Sequence, residues 1–156
     1  MKNIRRFLHL SWSDRLLIIE AVVWLGVITL GLRVLPLLTL QRLLLKQAEH
    51  HSRSLTAQRI TGAIRMASHC VPKAACLSQA LTAQFLLAQS GYDAELQIGA
   101  AKSADGKLEA HAWVTSESGI LIGNLPDLDR FVPLSPHRKT SHRKTSHRKA
   151  SHKKEV

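Results

Sequence analysis

Cys76 and His111 are the two side chains of this sequence best placed to do covalent chemistry. Cys76 stands where a loop containing Pro72 gives way to an amphipathic run, Leu77, Ala80, Leu81, Gln84, Phe85 and Ala88, which recurs at helical spacing. A thiol at a helix start meets the positive end of the helix dipole, which favours the thiolate. His111 lies in Glu-Ala-His-Ala-Trp-Val, residues 109–114, which reads as a β-strand. An imidazole on a neighbouring strand can hold the thiolate as an ion pair and later give a proton to a departing amine. The pairing points to a cysteine peptidase or an acyl transferase.

The elements that must position this pair follow from the pattern of residues. Gly91 is placed to cap the helix that begins at Cys76. Residues 92–101 alternate as a strand, Asp105-Gly106 marks a turn, and residues 108–115 form a second strand. Ser116 to Gly119 is a tight turn, and Ile120 to Asn124 a third strand. A turn centred on Glu117-Ser118 sets Asn124 directly opposite His111, with Cβ atoms about 5 Å apart. A polar group there would fix the orientation of the ring. Trp113 shares the strand face of His111, either as a shield against water or as ordinary packing.

Cys70 lies ahead of Pro72, outside the amphipathic run, and is read as incidental. Two cysteines six residues apart do not make a disulfide framework, and a reduced, cytoplasmic protein is expected. No Cys-x-x-Cys pair or helical His pair accompanies them, so neither a metal nor a cofactor is called for.

Residues 1–55 are helical and unusually apolar. Leu16 to Leu32 holds a single charge, Glu20, between Arg15 and Arg33, and Pro36 breaks the run before Leu37 to Leu45 resumes it. The segment either packs on the core as a helical hairpin or associates with a membrane, helped by Lys2, Arg5, Arg6 and Arg15. Thr56 to His69 suggests a further helix. The formal net charge is +11, yet residues 137–156, with eight Lys or Arg against Glu155, carry +7 and the other 136 residues only +4. That tail repeats His-Arg-Lys-Thr-Ser with period five and has no apolar residue to build a core, so it is expected to be disordered. It is either a solvated dispensable extension or a segment for attachment to anionic lipid or nucleic acid, or for metal capture by its four histidines.

The stretch from Val71 through Cys76 and Leu77 to Leu81, with Leu96-Gln97-Ile98-Gly99 and Ala110-His111-Ala112-Trp113-Val114, resembles the transglutaminase-like cysteine peptidases of lasso-peptide biosynthesis. These are the leader peptidases, or B-type maturation proteins, and the likeness spans roughly residues 5–134. It implies an α+β papain/transglutaminase-like core over residues 56–134, preceded by the apolar helical segment 1–55 and followed by the basic tail 135–156. In that core the catalytic cysteine opens a helix, while histidine and the third member sit on antiparallel strands. It also implies Cys76 as nucleophile, His111 as general base and acid, and a third member at Asn124, with Asp127 competing.

By the same resemblance, the reaction is removal of the leader from a ribosomally made lasso-peptide precursor before macrocyclisation. The expected partners are the precursor peptide, a separate small leader-recognition protein as in the split form, and an ATP-dependent lasso cyclase, with no nucleic acid. Transglutaminase-like acyl transfer is the rival reaction, and a catalytically decayed membrane-docked scaffold the rival without one.

Overall fold

The structure, a computed structural model, describes residues 11–48, 54–72 and 74–134. Helix α1 (Trp12–Val34) starts where the Ser11 carbonyl accepts the amides of Asp14 and Arg15, and stops at Leu35, held extended by the proline that follows. Pro36 then starts α2 (Leu37–Ala48), its carbonyl accepting the Thr39 and Leu40 amides. Helix α3 (Ala57–Ser68) follows, and then α4 (Cys76–Gln89). Gly91 ends α4 as its position suggested. Its φ of 79° needs no Cβ, its amide bonds the Ala88 carbonyl, and the Tyr92 amide reaches back to Leu87.

Four antiparallel strands complete the fold: β1 (Glu95–Lys102), β2 (Leu108–Ser116), β3 (Gly119–Ile122) and the two-residue β4 (Val132–Pro133), ordered β3-β2-β1-β4. A 3-10 turn, Leu128–Arg130, leads into β4. The architecture is the α+β class expected of the sequence. Helix α4 is its axis: ten of its fourteen residues are buried, which leaves no solvated face and places it inside the helical layer and against β1 and β2.

The main core is continuous across residue 55. Leu17, Ala21, Leu25 and Ile28 of α1 join Ile60 and Ile64 of α3, Leu81, Phe85 and Leu87 of α4, and Ala112, Val114 and Ile122 of the sheet. Trp24 packs on Phe85 with ring centroids 4.5 Å apart, and Asp14 pairs with Arg59 of α3. Gln84 of α4 bonds Gln41 of α2 and the Ala94 carbonyl before β1. The opposite sheet face carries a small second cluster of Ala101, Trp113 and Phe131.

The outer face of α1 is also apolar. Trp12, Leu16, Ile19, Val23, Val27, Leu30 and Val34, three or four residues apart, are all exposed and trace one stripe down the helix. The helix is long and apolar enough to cross a membrane by length and composition, as a buried core helix also can be. The repeat tail and the basic residues Lys2, Arg5 and Arg6 lie outside the described residues.

The expected hairpin register is corrected part-way along β3. Ser116 pairs with Gly119 and Thr115 with Ile120, as a turn at Glu117-Ser118 requires, but Val114 then pairs with Ile122. Leu121 is the extra residue of a β-bulge. The cause is packing: Leu121 and Ile122 both reach the main core, which strict alternation would forbid to adjacent residues. Strand β3 therefore stops at Ile122, and Asn124 lies beyond the sheet and exposed rather than opposite His111.

Candidate active site

Cys76 is the first residue of α4 and partly buried. The residue before it, Ala75, holds the extended backbone of a helix cap but has no side chain able to accept a hydrogen bond. Nearby polar groups turn the other way: Ser78 donates to the Ala75 carbonyl at 2.9 Å, and Gln79 donates to the Ala74 carbonyl at 3.0 Å. The first-turn amides, which have no partner inside a helix, are thus left without a side-chain cap beside the thiol. Such amides can hold an anion, whether thiolate or oxyanion.

His111 lies on β2 next to the end of β3. Its Nε2 is 2.7 Å from the Gly123 carbonyl oxygen. A carbonyl only accepts, so Nε2 carries the proton in this contact, and in the neutral ring Nδ1 keeps the lone pair. The ring lies nearly parallel to Trp113, centroids 6.1 Å apart, and 5.5 Å from Phe131, which fixes it between apolar surfaces. Trp113 therefore shares the ring's face, as the strand alternation required.

Gly123 is there for a steric reason. Its φ is 82°, and a Cβ would stand 2.8 Å from the Ala112 carbonyl oxygen and the Trp113 Cα. Only glycine brings this carbonyl so close to β2.

The thiol and the imidazole line one cleft of about 240 Å³, with Gln79 and Ala80 of α4, Ala112 of β2, and Ile122 and Gly123 at the end of β3. No hydrogen bond joins Cys76 to His111 among the described residues; contacts of this kind commonly tighten when substrate binds. Cys70 does not line the cleft; it is exposed, with its thiol 3.9 Å from the Met66 carbonyl.

Among the described residues, neither side chain expected at a third position hydrogen-bonds to the ring. Asn124 is exposed and makes no hydrogen bond among the described residues. Asp127 accepts from Arg130 at 2.6 Å, and Arg130 also pairs with Glu109 and lies over the Phe131 ring. Those two carboxylates, Glu109 foremost, raise the affinity of Arg130 for its proton. The carboxylate of Asp127 is thereby engaged at the surface.

A family model for the transglutaminase-like superfamily matches residues 22–136. The chain belongs to the transglutaminase-like superfamily. Neither curated proteins nor solved structures give a match. The transglutaminase-like domain takes in most of α1 and all of the sheet, in keeping with the single core. Members of this superfamily are typically cysteine-dependent enzymes, a description that admits both peptidases and acyl transferases.

Gln79 and Gly123 are the parts of this site that the sequence did not announce. Gln79 is one turn beyond Cys76 and could have been found by asking what else the helix start presents at i+3. Gly123 acts through its main chain, and its only sequence signal is a glycine at the end of a strand.

Proposed function

We propose that this protein is a cysteine peptidase that removes the leader from a ribosomally made lasso-peptide precursor. The observation that carries the reading is the shared cleft of Cys76 and His111 at the start of α4 in a transglutaminase-like domain. The finer assignment to leader removal rests on the sequence resemblance around both residues.

The chemistry runs in two halves. Cys76 Sγ attacks the scissile carbonyl, and the uncapped amides of the α4 first turn are available to the oxyanion. The C–N bond breaks as the His111 imidazolium gives its proton to the nitrogen that becomes the amine of the core peptide. The leader is left as a thioester on Cys76. His111 then takes a proton from water, the hydroxide attacks the thioester, and the leader departs with a free carboxylate while the thiol is restored. We assign orientation of the ring to the Gly123 carbonyl, with Asn124 and Asp127 the side-chain alternatives. The released amine is the group an ATP-dependent cyclase would use next.

The deciding experiment is mass spectrometry of a precursor incubated with the protein and a separate leader-recognition protein. Two fragments whose masses together equal the precursor plus one water are expected. Cys76→Ala should abolish them, while Cys70→Ser should stay within about twofold of the parent. A crosslinked product formed with loss of ammonia would instead assign acyl transfer to the same site. Turnover that survives in Cys76→Ala would end both readings.

A further inference from the structure

We infer that the exposed stripe of α1 lies flat on an anionic lipid surface, with the helix held along the membrane rather than threaded through it. This goes beyond the reaction proposed above and does not depend on it.

A surface helix of a soluble domain ordinarily turns charged and polar residues outward. Here seven of the nine exposed positions of α1 are apolar, between 51% and 77% exposed, the other two being Ser13 and Arg33, one near each end. At 1.5 Å per residue the helix is about 35 Å long, so the stripe is a band rather than a spot. Leu38 and Leu43 of α2 extend the exposed apolar surface past Pro36. Trp12, at the amino-terminal end, is the residue type most at home at the level of lipid headgroups.

Charge selects the occupant. Residues 54–134, which hold the cleft, contain six Lys or Arg and seven Asp or Glu. Residues 1–48 contain seven basic residues and two acidic ones, and residues 137–156 eight and one. The whole basic excess of the chain is therefore carried by the segment bearing the stripe and by the tail. Arg33, Arg42 and Lys46, all exposed, are the only charged residues from 21 to 48. An apolar band with basic flanks is the composition of an interfacial helix on anionic lipid. A second copy of this chain fits less well, since each copy brings +11.

The inner face settles orientation. Ala21, Leu25 and Ile28 have no exposed surface, and Trp24 packs at a tilt against Phe85. A spanning α1 would have to abandon these contacts and open the core that seats α4. Lying in the interface, it keeps them all.

The test is flotation of the full-length protein with vesicles of equal parts phosphatidylglycerol and phosphatidylcholine, beside vesicles of phosphatidylcholine alone. Binding to the anionic vesicles is expected at about 0.1 M salt and should weaken tenfold or more at about 0.5 M. The double substitution Val23→Lys and Val27→Lys should weaken it at least tenfold with an unchanged melting curve, because both side chains point away from the core. Bound protein should be released by alkaline carbonate. Four results would overturn the inference: no binding to anionic vesicles, equal salt-insensitive binding to both kinds, full binding by the lysine variant, or resistance to carbonate. So would a dimer in solution that the lysine variant dissolves, which would give the stripe to a second copy.

Discussion

A main-chain carbonyl holds His111 through Nε2, and it differs from a carboxylate in one respect: it orients the ring without placing a negative charge beside the imidazolium. The consequence is sharp at two neighbouring residues. Asn124→Ala and Asp127→Ala should each leave kcat for precursor cleavage within about threefold of the parent. Gly123→Ala should lower kcat tenfold or more, because the new methyl must push the turn off β2 and carry the carbonyl with it. Single-turnover kinetics with matched circular dichroism spectra would check all three. A tenfold loss in Asn124→Ala would show that this side chain, not the carbonyl, orients the ring in the substrate complex. Residue type and context alone singled out Cys76 and His111, since few other side chains do nucleophilic and acid-base work. The partner of His111 was illegible for a plain reason: every peptide unit carries a carbonyl, so nothing in the letters distinguishes the one that matters.

Helix α4 begins without the cap that most helices have, and this can be read as a functional vacancy at the level of the element. Ala75→Asp would supply an acceptor for the first-turn amides and should stabilise the protein by about 1 kcal/mol in chemical denaturation. It should also lower turnover by an order of magnitude, since the carboxylate occupies amides that the oxyanion would use and repels the thiolate. Ala75→Asn, which caps without the charge, should separate the two effects. Helix α4 was legible because a three-to-four-residue apolar period persists over its length, and α1 because its apolar run is too long for a strand. The end of β3 was not. The bulge at Leu121 exists because two adjacent side chains both reach the core, a fact of tertiary packing that a two-residue period cannot contain. Strand β4 is too short to show any alternation, and it pairs with Gly99 and Ala100 of β1.

At the scale of the whole molecule, the tail and the apolar amino-terminal segment should behave oppositely on removal. Deleting residues 137–156 should leave cleavage of a soluble precursor within about threefold, because its polar, basic repeats are not of a composition to build a core. Deleting residues 1–53 should abolish cooperative thermal unfolding, because α1 and α2 cover α4 and the bared Phe85 and Leu81 would face water. The proposed leader-recognition protein would act at this scale too. If it works by holding substrate near the cleft, its addition should lower KM far more than it raises kcat.

The contact of Trp24 with Phe85 also sets a clock. These residues are far apart in sequence, and a ribosome adding 5–20 residues per second leaves Trp24 waiting roughly 3–12 s for its partner. During that interval both faces of α1 are apolar, the one that will be buried and the one that stays exposed. The nascent chain thus meets the cell as a short greasy helix well before it is a folded domain. Whatever shelters that helix, a chaperone or a bilayer surface, has first claim on where the finished molecule works.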